Sequence, residues 1–177
     1  EVILRSYIMK LQLIDKATYR EHLRYVTAAV IVLLLGLAVG ISTLLIGLFG
    51  EQGQSNFTLN LAGVAIGAGL CGGLLYHFRE HAYMYEVTYV WRLKQELNRI
   101  YRRSAKVKRA VERENRNGLI ISNFHLKGSK QLYELDDNTL TMVELNQQIQ
   151  TLDNQLQGLG VTISLDDYDK QLLDQLD

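Results

Sequence analysis

Two long stretches without formal charge dominate the first half of the chain. Residues 25–50 contain no Asp, Glu, Lys, Arg or His, and residues 52–78 contain none of these except His77. A helix that crosses the hydrocarbon core of a bilayer needs about 20 predominantly apolar residues. The pattern therefore predicts two transmembrane helices, 25–50 and 57–78, joined by a short loop at 51–56. The first run is about twice as long as the 7–15 apolar residues of a signal peptide, so we expect it to remain as an anchor.

The region that follows has helical periodicity and many basic residues. Apolar side chains recur at steps of three and four, which predicts one long juxtamembrane helix over 79–118 that ends near Gly118. The stripe comprises Val90, Leu93, Leu97, Ile100, Ser104, Val107 and Val111. A stripe of this kind is most often an internal packing face, and a coiled coil between subunits is the alternative.

The last 59 residues, 119–177, are predicted to form an acidic, mainly helical region. Residues 119–135 fit either helix with a break near Gly128 or a short β-hairpin of "LIISNF" and "QLYEL". Asp137, Asn138 and Thr139 are candidate N-caps for an apolar-faced helix that ends at Gly158 and Gly160. Asp166 or Asp167 would begin a last short helix. The predicted fold class is an all-α membrane protein, with a two-helix transmembrane hairpin followed by a mainly helical domain.

Basic residues predict the orientation of this hairpin. Lys and Arg flank the two apolar stretches at 1–24 and beyond 78, whereas the loop at 51–56 contains neither. Such residues are retained on the cytoplasmic side, so we expect both ends inside and the loop outside. Met9 would make a natural initiator, and the first eight residues are expected to be extra upstream sequence.

Charge is divided unevenly over the predicted cytoplasmic domain. Residues 79–130 contain 13 Lys and Arg against 5 Asp and Glu, whereas residues 131–177 contain one lysine against 10 acids. The acidic helices would then fold back on the basic one, or the basic residues would meet anionic lipid headgroups, or both. The candidate headgroup residues are Arg79, Arg92, Lys94, Arg99, Arg102 and Arg103. Nucleic-acid binding is not expected, because no recognisable binding fold accompanies the basic charge.

Glycines recur at helical spacing in both apolar stretches. "GAGLCG", residues 67–72, matches the dinucleotide-binding pattern G-x-G-x-x-G, but no alternation of strands and helices surrounds it. Small residues four apart instead allow transmembrane helices to approach closely. The predicted helix-packing residues are Gly36, Gly40, Gly63, Gly67, Gly69 and Gly73. We expect the second helix to need the first helix or another subunit as its partner, and the hairpin to associate with another copy or with another membrane protein.

One stretch carries potential enzyme chemistry. "HFREH", residues 77–81, has the H-x-x-E-H pattern in which two histidines hold zinc and the acid acts as base. His77 and His81 are therefore metal candidates, and a membrane-bound zinc-dependent hydrolase is the alternative function. A catalytic zinc site needs a third protein ligand, which no motif supplies. Aromatic and histidine side chains at a helix end more often form an interfacial belt. No cofactor and no catalytic residue is expected.

Three stretches carry a family resemblance: "MKLQLIDKATYREHLRYV" before the hairpin, then "YEVTYVWRLKQELNRIYRR" and "GSKQLYELDDNTLT". With these, the chain resembles a bacterial inner-membrane protein family of unknown function, domain of unknown function 3087, from Met9 to about Gly160. The resemblance implies a two-span topology and supplies no catalytic residues. The predicted function is that of a non-enzymatic, membrane-anchored interaction or scaffold protein.

Overall fold

The computed structural model describes residues 9–51 and 55–176, and this part of the chain is helical with no β-strand. The predicted all-α class is therefore confirmed. The α-helices are α1 (Lys16–Phe49), α2 (Phe57–Phe78), α3 (Tyr85–Tyr101), α4 (Ser104–Glu112), α5 (Arg116–Leu135) and α6 (Met142–Gly158). Short 3₁₀ helices lie at Ala82–Met84, Leu165–Asp167 and Lys170–Gln175. The first eight residues, three residues of the predicted loop (52–54) and Asp177 lie outside the described part.

The chain divides into two compact units. We call Ala17–Thr88 the hairpin unit, because it contains nearly all of α1 and the whole of α2. We call the remainder, which is residues 9–16 and 89–176 of the described chain, the helical unit. The predicted separate segments 1–24, 79–118 and 119–177 do not coincide with this division, since residues on both sides of the apolar stretches belong to the helical unit.

The hairpin unit is formed by two helices of unequal length. α1 has 34 residues and begins at Lys16, nine positions before the apolar run, because charged and polar residues that favour helix extend it. α2 has 22 residues and coincides with the predicted range 57–78. At 1.5 Å per residue, α1 is about 51 Å long and α2 about 33 Å. Each length reaches the roughly 30 Å hydrocarbon thickness of a bilayer.

The predicted single helix over 79–118 is divided into shorter helices. α2 ends at Phe78, and the chain turns at Arg102–Arg103 between α3 and α4. It turns again before α5, where Glu114 has a positive φ of 56°. The apolar stripe nevertheless faces inward, with Val90, Leu93, Leu97, Ile100 and Val107 all buried. The stripe is thus an internal packing face, and the turns allow α4 and α5 to pack against each other.

Residues 119–135 are helical within α5, so the β-hairpin expectation is wrong. α5 is covered on nearly all sides by α4, α6 and both C-terminal 3₁₀ helices, which explains why "LIISNF" lacks an amphipathic pattern. The Asn115 side chain caps it by accepting from the N–H groups of Asn117 and Gly118. Gly118 does not end a helix but lies in the first turn of α5, where a Cβ would lie 2.5 Å from the Ala110 Cβ. Gly128 similarly admits Leu97, whose Cδ2 would lie 3.1 Å away from such a Cβ.

The acidic region folds back on α5. α6 begins at Met142 and buries Leu145, Leu152 and Leu156. The expected side-chain caps at 137–139 are absent: Thr141 occupies the N-cap position and makes no capping hydrogen bond. α6 ends at Gly158, and Gly160 has a φ of +64°. The expected last helix consists of two 3₁₀ helices, capped by Ser164 and Asp169.

Candidate functional site: the helix crossing and the apolar surface of the hairpin unit

α1 and α2 cross at small residues. A Cβ on Gly63 would lie 2.3 Å from the Ser42 Oγ, and a Cβ on Gly67 would lie 3.0 Å from the Ala38 backbone nitrogen. The Ser42 hydroxyl donates to the Asn60 carbonyl across the crossing at 3.1 Å. Close backbone approach and a hydrogen bond between helices are the features that hold transmembrane helices together. Gly63 and Gly67 are therefore packing residues within one chain.

The other predicted packing glycines do not lie in this contact. Gly36, Gly40, Gly69 and Gly73 have open space where a Cβ would be. Gly69 is only two residues from Gly67, which places it about 200° away around the helix. The glycines thus lie on different faces of the hairpin. Gly63 and Gly67 lie against α1, whereas the other four face open space.

Most of the apolar surface of the two helices is uncovered by the chain. In their most apolar windows, 6% of α1 and 17% of α2 is buried. Large exposed side chains include Val32, Val39, Leu44, Leu48, Phe57, Leu61 and Leu70. Both helices are long and apolar enough to cross a membrane. Contiguous apolar surface of this extent is rarely left in contact with water.

Polar and aromatic side chains cluster where the hairpin unit leaves its apolar stretches. The Arg79 guanidinium lies 3.8 Å from the centre of the Tyr76 ring. The His22 Nδ1 lies 2.8 Å from a Glu86 carboxylate oxygen, and its ring contacts Tyr83 with 4.0 Å between centroids. Sequence reasoning missed this His22–Glu86 pair, because 64 residues separate the partners.

The "HFREH" stretch does not form the geometry of a zinc site. α2 ends at Phe78, so His77 and His81 do not share one helical face. His81 instead caps the following 3₁₀ helix, its Nδ1 accepting from the Tyr83 N–H at 3.2 Å. Across residues 9–51 and 55–176, no group of three or more His, Cys, Asp or Glu is placed to hold a metal ion.

Ion pairs engage four of the six basic residues predicted to meet lipid headgroups. Lys94 pairs with Asp136 at 2.8 Å, Arg99 with Glu96 at 3.3 Å and Arg103 with Asp174 at 2.5 Å, all within the helical unit. Arg79 lies in the hairpin unit beside Glu80, at 3.5 Å. Arg92 also has a partner, whereas the Arg102 side chain is exposed and makes no hydrogen bond or ion pair to the described chain. The six residues therefore do not form one continuous free basic surface.

A buried carboxylate in the helical unit has a structural explanation. The Tyr168 hydroxyl donates to Glu96 at 2.6 Å, and the Tyr168 ring stacks on Phe124 with 4.0 Å between centroids. Burial, followed by the hydrogen bond to Glu96, raises the pKa of Tyr168. The phenol therefore stays protonated and keeps donating to the carboxylate. This pair fastens the C-terminal segment to α3 and α5 and offers no accessible nucleophile or base.

The fold and this site define a class: an all-helical protein with two helices that could span a membrane, and with a separate helical unit. The chain belongs to the family described as "Protein of unknown function (DUF3087)", whose model matches residues 9–173. The family predicted from the sequence is thereby confirmed. No curated protein and no solved structure matches the chain.

Proposed function

We propose that this protein is a two-span integral membrane protein that acts, without enzymatic chemistry, as an anchored interaction or scaffold protein. The hairpin unit is inserted in the bilayer, and the helical unit is held at its cytoplasmic face. The uncovered apolar surface of α1 and α2 supports insertion, because hydrocarbon is the solvent that such a surface prefers. As the family resemblance implies, the membrane is a bacterial inner membrane.

The main support for this proposal is that chain segments from both sides of the hairpin form the helical unit. The Gln12 N–H donates to the Tyr89 hydroxyl at 2.9 Å, and Lys10 pairs with Asp166 at 3.1 Å. Residues that precede α1 thus fold together with residues that follow α2. A chain that crosses a bilayer between these segments must cross it an even number of times, which supports two spans with both ends on one side.

The distribution of basic residues supports a cytoplasmic location for that side. The exposed glycine faces of the hairpin suit association with a second copy or with another membrane protein, and the helical unit presents the surface for further protein partners. Arg79, at the end of α2 and beside Tyr76, is suited to meet anionic headgroups. The helical unit then serves as the recognition module and the hairpin as its anchor.

Cysteine labelling in intact cells tests the topology. Ser55→Cys places a thiol in the exposed loop after α1, in a Cys71→Ala background that removes the natural cysteine. Ser104→Cys is the matched control, since Ser104 is also exposed but lies in the helical unit. We expect a membrane-impermeant maleimide to label Ser55→Cys in intact cells and Ser104→Cys only after permeabilisation. The reverse pattern would overturn the orientation, and equal labelling of both in intact cells would overturn the hairpin.

A further inference from the structure

The helical unit contains a cavity that has no part in the function proposed above. It lies between α3, α5 and α6 and has a volume of 380 Å³. Sites for small molecules typically have volumes of about 300–1,000 Å³. The apolar part of the lining is formed by Leu97, Leu126, Leu132 and Leu145. This cavity is therefore large enough for a single aromatic or short aliphatic molecule.

His125 supplies a polar group in this lining that no described residue engages. Its imidazole is largely buried and makes no hydrogen bond or ion pair within the described residues. Burial lowers the pKa of His125 from its ordinary value of 6.5, so the ring is neutral at pH 7. A neutral imidazole has one nitrogen that accepts and one that donates. The ring can therefore accept a hydrogen bond from an N–H group of a bound molecule.

The charged and aromatic side chains of the lining favour a cationic ligand over an anionic one. Glu144 is its one carboxylate, and no Lys or Arg lines the cavity in the part of the chain that the structure describes. Tyr101 and Tyr133 contribute two aromatic rings, whose faces attract cations. An anion would meet the carboxylate without a compensating positive charge. A cation would be attracted by both the carboxylate and the rings.

We propose that this cavity binds a small organic cation with a flat apolar body, which contacts the four leucines while its N–H group donates to His125. Glu144 balances the positive charge, and Tyr101 and Tyr133 contact the apolar body. This proposal does not depend on membrane insertion, because every lining residue belongs to the helical unit.

A set of three matched probes tests the assignment on the full-length protein in detergent micelles. Benzamidine is a flat cation, benzamide its neutral analogue and benzoate its anionic analogue. The chain has four histidines, so ¹⁵N-histidine labelling provides one reporter in the cavity and three outside it. We expect millimolar benzamidine to shift the His125 imidazole saturably, benzamide to bind about two- to fivefold more weakly, and benzoate not to bind.

Two substitutions separate binding in the cavity from general partitioning. Glu144→Gln should reduce the affinity for benzamidine to that for benzamide, whereas Glu134→Gln, an exposed site on α5 outside the lining, should not. Tyr101→Ala should weaken both ligands, and Trp91→Ala, another exposed aromatic residue of α3, should leave them unchanged. Both sites of substitution are solvent-exposed, so the fold should tolerate these changes.

The proposal fails if benzamidine leaves the His125 resonance unmoved in the unsubstituted protein. It fails equally if His22, His77 and His81 shift with the same concentration dependence, which would indicate partitioning into the micelle. Benzoate binding as tightly as benzamidine would overturn the assigned charge. An equal effect of Glu134→Gln and Glu144→Gln would show that the carboxylate in the cavity has no special part.

Discussion

At Gly63 the absence of a side chain determines how closely two helices approach. A Cβ there would overlap the Ser42 Oγ at 2.3 Å and would also lie 2.6 Å from the Ser42 Cα. Rotation of the Ser42 side chain would relieve the first contact but not the second, which involves the backbone. The two helices can therefore keep this distance only with glycine at position 63.

Gly63→Ala should open the hairpin more often. Overpacking costs about 1–3 kcal/mol, so opening should become roughly five- to 150-fold more frequent. Cys71, the single cysteine, is 4% exposed on α2 and reports such opening through its rate of modification by N-ethylmaleimide. Gly73→Ala is the matched control, because its Cβ meets nothing within 4 Å. Equal modification rates in the two variants would mean that the crossing does not depend on Gly63.

Spacing alone could not distinguish the glycine pairs. Gly63/Gly67 and Gly69/Gly73 have the same four-residue separation on the same helix. Only the positions of Ser42 and Ala38 in α1 show which pair lies in the contact between the two helices. The face of α2 that packs against α1 therefore depends on the position of the other helix, which spacing within α2 does not encode.

At the scale of elements, α2 has one face occupied by α1 and another face open at Gly69. Gly69→Leu should leave the hairpin itself intact, because a Cβ at this position meets nothing within 4 Å. It should reduce association between copies severalfold, since bulk at a small-residue face keeps helices apart. Energy transfer between differently labelled copies in liposomes measures this change.

Ala68→Leu is the control for that experiment. It adds the same side chain one residue earlier on α2, about 100° around the helix, at a position that is also exposed. Association that survives Gly69→Leu undiminished, or that falls as much with Ala68→Leu, would exclude the Gly69 face as the contact.

Helices of the second half show where periodicity is informative and where it fails. The stripe on α3 and α4 is visible in the sequence because one face of these helices is buried and the other is solvated. α5 has no such contrast, since neighbours cover it on several sides, and its short apolar run could equally describe a strand. Gly118 and Gly128 suggested breaks, yet they are required by the close approach of Ala110 and Leu97.

At the scale of the whole molecule, the segment before α1 is part of the helical unit. The Tyr89 hydroxyl accepts a hydrogen bond from the Gln12 N–H and donates one to the Gln131 side chain, both at 2.9 Å. The Gln131 side-chain amide in turn donates to the Gln12 carbonyl. One phenol therefore joins residues that are 77 and 42 positions away in the sequence.

Tyr89→Phe should loosen this segment. Loss of the hydroxyl removes two hydrogen bonds, one from the Gln12 N–H and one to the Gln131 side chain, at a total cost of about 1–3 kcal/mol. Amide hydrogen exchange over residues 9–15 should consequently accelerate by about fivefold or more. Tyr101→Phe is a suitable control, because the Tyr101 side chain is 67% exposed. Unchanged exchange in Tyr89→Phe would show that other contacts suffice to hold the segment.

Properties that depend on local composition follow from the sequence alone. Two charge-free runs specify two long apolar helices, and a stripe at steps of three and four specifies a helix with one buried face. These signals are strong because the preferences of successive residues for water or for an apolar environment add up along a single helix. Family membership likewise follows from stretches that can be read in order along the chain.

Contacts between residues that are distant in the sequence follow from the tertiary structure. It joins the basic and acidic halves through pairs such as Lys94–Asp136 and Lys127–Asp153, and it places Gln12 beside Tyr89. It also forms the cavity beside His125 between three helices. Such contacts depend on how chain segments far apart in sequence pack in three dimensions. Their energies arise from pairs of surfaces, so no periodicity within one segment encodes them.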